Sequence, residues 1–375
     1  MKILVISDNY PSTKFPNTGV FLYNLVQEMV LDGNSVTVIS PQILTRGKFV
    51  RRKIDYGLER AKVYRPFIIS FSTRRIFSFN LYFFTIFQQV FRIRSIVRSH
   101  SVSFDIIYCQ FLSNSLIAAR AFPKCNYIFA DVGEFNNINK VFSWYNKNTY
   151  FKLLKKINGF IAVSPFVKER LLEKGVSVED IVVEGNGVNS SRFFPRDRNE
   201  MRKRLNLPFD KFIVVFIGHF ISSKGAVELL KAAELDGFTY IIFLGSGELD
   251  NKLVSNHILF KGVVPNSSVA DYLCAGDVFV LPTHHEGSNN SILEAMACGL
   301  PIISSNIPEV RLQIPADKAI LIDPTDVSQI AFAIHNLRTN KSLLRTYGDF
   351  SLNEASLRSV RNRWLSIRSF IADRI

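Results

Sequence analysis

Apolar residues fall in short runs separated by stretches of helical spacing, and the alternation continues along most of the chain. Lys2 to Ser7 is a compact apolar run of the kind a strand buried on both faces needs. A turn-rich loop with Pro11 and Pro16 follows. GVFLYNLVQEMVLDG then places apolar side chains at three- and four-residue steps and closes on Gly33, where a helix commonly ends. Ser35 to Ser40 reads as the second strand. Further strands are predicted at Phe104 to Tyr108, Tyr127 to Ala130, Gly159 to Val163 and Ile181 to Val183. A helix begins at Pro165 with Ser164 as its cap. Periodicity is lost from Glu184 to Pro208, which marks a domain boundary. It restarts with strands at Phe212 to Ile217, Tyr240 to Leu244, Ile258 to Phe260, Val278 to Leu281, Pro301 to Ser304 and Ala319 to Ile322. Helices are predicted between them at Ser223 to Leu235 and Ser267 to Cys274, and after them at Val327 to Leu337. Strands alternating with helices on both sides of a break predict an α/β protein of two doubly wound domains. A ligand is expected at the carboxyl ends of the strands, in a cleft between the domains.

One segment stands apart. In Ile76 to Ser99 the polar residues Thr85, Gln88, Gln89, Arg92 and Ser95 recur at helical steps, with Phe83, Phe84, Phe87, Val90 and Phe91 between them. This predicts a helix with an aromatic face. That face either packs on its parent sheet or, with Arg74, Arg75, Arg92, Arg94 and Arg98, touches an anionic bilayer. The spacing does not choose between them.

Composition narrows the class. A length of 375 residues with 47% hydrophobic residues supplies two cores, and 21% charged residues argues against disorder. The net charge of +14 favours anionic partners. The excess is local: Ala61 to His100 holds seven Lys or Arg and no acid, so one domain carries a basic face. No nucleic-acid recognition motif accompanies it, and nucleic acid is not expected as a partner. Cys109, Cys125, Cys274 and Cys298 show no paired spacing and read as reduced core thiols, which fits a cytoplasmic location. MKILVIS passes at once into Asp8 and Asn9, unlike a signal peptide. The most hydrophobic stretch, Ile76 to Phe91, is short and polar for a membrane span.

Candidate chemistry concentrates at strand ends in the second half. Ser291-Ile-Leu-Glu294 matches a capping box, which would account for Glu294 structurally. Glu286 is left over, in the loop behind strand Val278 to Leu281. The amides around Ser288, Asn289, Asn290 and Ser291 open a helix and present donors to an anion. Two acids with an anion site between them suit a nucleotide sugar better than a metal. Gly218-His219-Phe220-Ile221-Ser222-Ser223-Lys224-Gly225 follows strand Phe212 to Ile217. There Gly218 allows close backbone approach, and Lys224 is placed to meet a diphosphate. The full Gly-x-x-x-x-Gly-Lys-Ser/Thr spacing of an ATP loop is missing. Leu244-Gly245-Ser246-Gly247 ends another strand in the same manner. No clustered His, Cys or Asp residues imply a metal or other cofactor.

These motifs carry a resemblance. The chain resembles the retaining GT-B glycosyltransferases with a paired-glutamate motif (family 4, glycosyl transferases group 1), two Rossmann-like domains facing across a cleft. The resemblance is strongest from Gly218 to Pro301, where Glu286-Gly287 through Glu294-Ala295-Met296-Ala297-Cys298-Gly299-Leu300-Pro301 looks like that motif. Asn186-Gly187-Val188-Asn189 with Phe193 and Pro195 is similar to the interdomain turn, with Asn189 where Asp is usual. Ser164-Pro165 and the Gly19 loop also match. The resemblance implies donor binding by Gly19, Gly218, His219, Gly245 and residues 288–291. It places Glu286 on the donor sugar, Glu294 on the ribose and Lys224 on the diphosphate. His219 stands where the family usually has Arg, and Val132 where it has His. Asp131 or Glu134 is placed either to reach an acceptor hydroxyl or to cap a helix. It further implies domains 1–185 and 186–350, with 351–375 forming a helix that returns to the first domain, where Trp364 packs. The expected activity is retaining transfer from a UDP- or GDP-sugar to a saccharide or lipid-linked saccharide in surface-polysaccharide biosynthesis. It would take place in the cytoplasm, peripherally on the inner face of the plasma membrane. A non-catalytic sugar-nucleotide or carbohydrate binder and a nucleotide-sugar epimerase are the alternatives.

Overall fold

The computed structural model describes residues 1–12, 17–43, 61–71, 75–76, 79–125, 127–133, 135–285 and 289–375. The chain divides into two compact units, Met1–Gly185 with Arg363–Ile375, and Asn186–Asn362.

Unit 1 runs β1 (Lys2–Ile6), α1 (Val20–Leu31), β2 (Ser35–Ile39), β3 (Gln42–Ile43), β4 (Ala61–Tyr64) and β5 (Phe67–Ile68). A small antiparallel pair, β6 (Arg75–Ile76) and β7 (Phe79–Asn80), leads into α2 (Tyr82–Ser99). Then come β8 (Ile106–Gln110), α3 (Leu112–Ala121), β9 (Ile128–Val132), α4 (Phe135–Phe142), α5 (Lys147–Leu154), β10 (Gly159–Ala162), α6 (Pro165–Glu173) and β11 (Ile181–Val183). The sheet order is β11-β10-β9-β8-β1-β2-β4, with every pairing parallel. Every residue of β8 and β9 is buried, as expected for strands covered by helices on both faces.

Unit 2 continues with α7 (Arg198–Arg204), β12 (Phe212–Ile217), α8 (Ala226–Asp236), β13 (Thr239–Leu244), β14 (Ile258–Gly262), α9 (Val269–Ala275), β15 (Val278–Leu281), α10 (Asn290–Ala297), β16 (Ile302–Ser305), α11 (Pro308–Gln313), β17 (Ile320–Ile322), α12 (Val327–Thr339) and α13 (Lys341–Leu357). Its parallel sheet has the order β14-β13-β12-β15-β16-β17. Each unit has its own hydrophobic core. In unit 2 the strand order reverses between β12 and β15, and in unit 1 between β1 and β8. Such points open a crevice at the carboxyl ends of the strands.

Two expectations change, and one left open is decided. The aromatic helix begins at Tyr82, six residues later than the spacing suggested, because β6 and β7 occupy the preceding segment. Its inward face is Thr85, Ile86, Gln89, Val90 and Ile93, while Phe83, Phe84, Phe87 and Phe91 are 37%, 46%, 56% and 59% exposed. The aromatic face therefore does not pack on the sheet. Inside, Thr85 accepts a hydrogen bond from the Phe71 amide at 2.8 Å, which satisfies one polar group there. Lastly, 351 is not a domain edge: α13 runs through it, and unit 2 extends to Asn362.

The final helix, α14 (Val360–Ala372), supplies unit 1 from Arg363 onward. Arg363 Nη2 meets both oxygens of Asp131 at 2.9 and 3.0 Å, and Tyr108 Oη donates to Asp131 Oδ2 at 2.6 Å. Trp364, fully buried, donates its indole N–H to Asp32 at 2.9 Å, and Arg368 binds the same carboxylate. Phe370 closes over Gly159, where an added Cβ would come within 2.6 Å of its ring.

Candidate functional site

The loops at the carboxyl ends of β12, β13 and β15 press together because two glycines let them. Gly225 has φ +68°, and a Cβ there would stand 2.0 Å from the Pro282 carbonyl oxygen. A Cβ on Gly245 would stand 1.9 Å from the Gly218 carbonyl oxygen. The close approach expected of Gly218 is thus permitted from the other side, by Gly245. Phe220 ties the same two loops, its amide donating to the Ser246 carbonyl at 3.0 Å.

Lys224 lies in this junction. Its Nζ is 3.2 Å from the His285 carbonyl oxygen and 3.5 Å from Thr283 Oγ1. Thr283 Oγ1 in turn lies 3.1 Å from the Ser223 carbonyl, and the His284 amide donates to that carbonyl at 2.8 Å. The ammonium is therefore held against the loop that follows β15. His219, one residue past Gly218, is exposed.

At the start of α10 the capping box is replaced by a different arrangement. Asn289 is the cap, its Oδ1 accepting from the Ile292 amide at 3.2 Å and from Ser291 Oγ at 2.5 Å. Gln313 braces it from α11: its Oε1 accepts from the Asn289 amide at 3.1 Å and its Nε2 donates to the Asn289 carbonyl at 2.5 Å. The register moves two residues back because the asparagine side chain reaches the helix amides first. Ser291 is then already helical, and Glu294 is not needed for capping. Asn290 Oδ1 is buried without a hydrogen-bond partner among the described residues.

Glu294 stands one turn further on. Burial pushes its carboxyl up to about 8, and Arg192 offsets this only in part. The carboxyl makes no hydrogen bond among the described residues. Arg192 itself is anchored to Asn266. Neither Arg192 nor Gln313 was singled out from sequence. Arg192 lies just beyond the Asn186 to Asn189 turn, but nothing in that spacing announces a partner on α10.

Glu286 and Ser288 lie outside the described residues, as does Glu134. In unit 1, Gly19 precedes α1 with φ +70°, at the carboxyl end of β1. Asp131 is a correction. It was expected to reach an acceptor or cap a helix, yet it is a buried strand residue whose carboxylate is taken up by Arg363 and Tyr108. Burial and the Asp131 charge push the Tyr108 phenol well above its ordinary range. Among the described residues no group of three His, Cys, Asp or Glu side chains could hold a metal ion. None of their helices is long and apolar enough to cross a membrane.

Two doubly wound parallel sheets, one with a tethered lysine in its carboxyl-end loops, have the architecture of a GT-B fold. Residues 18–192 match Glycosyltransferase Family 4 and residues 211–340 match Glycosyl transferases group 1. The chain is 31% identical to TuaC of Bacillus subtilis (strain 168), a glycosyltransferase named for teichuronic acid biosynthesis. That alignment covers 89% of this chain and 88% of TuaC. The chain belongs to this GT-B glycosyltransferase family and is a glycosyltransferase. Among solved structures it superposes on sucrose-phosphate synthase from Thermosynechococcus elongatus with a TM-score of 0.76 at 18% identity, covering 99% and 98% of the two chains. Anabaena HepE in complex with UDP and glucose gives 0.72 at 15% identity, covering 99% of each. These two likenesses concern the fold.

Proposed function

We propose that the chain transfers a sugar, with retention of anomeric configuration, from a UDP- or GDP-sugar to a saccharide or lipid-linked saccharide in surface-polysaccharide biosynthesis. The observation that carries the reading is that Lys224, in the loop after β12, is held against the loop that follows β15, the segment that leads in sequence to α10. A cation and a helix N-terminus suit a diphosphate and stabilise it most as it leaves with added charge. Glu294, protonated below about 8, donates one hydrogen bond and accepts another, as a ribose diol requires. Glu286 is assigned to the sugar hydroxyls on the motif alone. The bond between the anomeric carbon and the phosphate oxygen breaks, and a bond to the acceptor oxygen forms on the same face. The acceptor proton passes to the departing phosphate, so no protein base is needed. Support for the polysaccharide role comes from the name of TuaC, and for a uridine donor from the ligands of HepE.

The exposed phenylalanines of α2, with Arg92 and Arg98, support peripheral contact with an anionic membrane. On this reading the enzyme works at the inner face of the plasma membrane. The primary test is mass spectrometry of the protein incubated with UDP-, GDP- and ADP-sugars and a crude lipid acceptor extract. One donor should give a product heavier by one sugar, with Lys224→Ala slower by about a hundredfold or more. An unchanged rate in Lys224→Ala removes the proposed diphosphate site. An inverted anomeric centre in the product removes the retaining mechanism.

A further inference from the structure

Unit 1 holds a concave site at the amino ends of its central strands. A cavity of about 700 Å³ lies where Phe104 and Asp105 enter β8 and Tyr127 enters β9. Substrate loops of a doubly wound sheet gather at the carboxyl ends of the strands, whereas this cavity lies at the amino ends. Its walls are of two kinds. Val97, Phe104 and Phe122 make an apolar lining, the two rings meeting edge-on at 5.3 Å. Arg94, Arg98 and Lys124 add three cations. Arg94 is fixed by its hydrogen bonds to the carbonyls of Ala121 at 2.6 Å and Arg120 at 2.9 Å. Arg98 and Lys124 are exposed, and their side chains have no hydrogen-bond or ion-pair partner among the described residues. The acid of the lining is Asp105, whose carboxylate already accepts the Lys2 amide at 2.7 Å. The carbonyl end of α2 is unfavourable to an anion, and the three cations have to outweigh it.

The cavity continues a stripe. Along α2, Phe84, Phe87, Phe91, Arg94 and Arg98 succeed one another at steps of three and four, so they share one side of the helix. The exposed aromatics therefore lead directly to the cationic cavity. A free phosphate would satisfy the cations but leave the apolar lining wet. An amphiphile with an anionic head satisfies both.

We propose that this cavity binds one anionic phospholipid, its phosphate between Arg98 and Lys124 and its glycerol end against Val97, Phe104 and Phe122. The assignment rests on the membrane contact proposed above and adds a specific headgroup site to it.

Cys125 lines the cavity and is half-buried, whereas Cys109, Cys274 and Cys298 are buried. Its alkylation by N-ethylmaleimide, followed by peptide mass spectrometry, reports occupancy of the cavity. Monomeric dihexanoyl phosphatidic acid at about ten times its Kd should slow labelling by about tenfold. Dihexanoyl phosphatidylcholine and inorganic phosphate should protect far less, and the Arg98→Glu/Lys124→Glu variant should not be protected. Phosphorus NMR line broadening of the same lipid gives a second reading that does not depend on thiol reactivity. Absence of both protection and broadening overturns the proposal, as does full protection of the charge-reversed variant. Equal protection by inorganic phosphate makes the cavity a plain anion site and overturns the lipid assignment. Because the probe is monomeric, loss of protection with vesicle binding retained removes this site alone. Loss of vesicle binding itself would remove the membrane contact on which it rests.

Discussion

Glu294 keeps its proton up to about pH 8 because burial strips the water that would stabilise its carboxylate. The folded state therefore holds a proton that the unfolded chain releases near 4.5, the ordinary value. Between those two pH values the unfolded chain binds fewer protons, so stability falls as pH rises, and it levels off above about 8. Glu294→Gln cannot ionise and should lack this decline. Thermal melts of the two proteins across that window should diverge steadily, with the variant the more stable at the alkaline end. Parallel curves would mean that the carboxyl is ionised well below 8. The sequence made Lys224 visible in the glycine-bounded loop after a strand, and Glu294 through the capping pattern and the paired-glutamate motif. It misassigned the cap, because Ser291 and Asn289 are both good capping residues and Gln313, 24 residues away, stabilises the second choice. Asp131 was misread for a related reason: its position after an apolar run suggests a loop, and only Arg363 makes burial of its charge tolerable.

The strands that were predicted fall within about two residues of those observed, because a strand buried on both faces leaves an uninterrupted apolar run, whereas the short β3 to β7 leave no such run and were missed. The helix α2 was legible in its period but not in its orientation. A polar and an aromatic stripe are both present, and hydrophobicity alone would turn the aromatic one inward. Packing instead turns Ile86, Val90 and Ile93 inward, with Thr85 among them because it finds a backbone partner at Phe71. What remains outside is a helix of eighteen residues carrying aromatics and arginines without an acid. Sedimentation with vesicles containing anionic lipid should carry the protein down, and less of it as salt is raised. Phe87→Ser/Phe91→Ser should lose most of this binding while melting as the parent does. Equal sedimentation of the two proteins would exclude α2 as the contact.

Unit 1 is assembled from two stretches of chain that enclose the whole of unit 2 in sequence, and local patterns could not reveal which strands the tail would join. The Asp131–Arg363 pair is the most consequential of those joins, with both side chains buried. Removing one partner strands the other without compensation. Asp131→Ala should therefore cost about 3–5 kcal/mol in denaturant melts. Asp131→Asn should retain near-parental turnover per folded molecule, whereas loss of a general base would cost roughly a hundredfold or more. A turnover loss of that size in a folded Asn variant would return Asp131 to the chemistry. The same pair has a consequence for biosynthesis. Arg363 follows Asp131 by 232 residues, so at roughly 5–20 residues per second the ribosome delivers it ten seconds or more after its partner. During that interval β9 carries a carboxylate with nothing to neutralise it, and Asp32 waits for Trp364 and Arg368. Unit 2 runs to Asn362 and is synthesised entirely within that interval, so the nascent first unit is the part of the chain that waits longest for its missing segment.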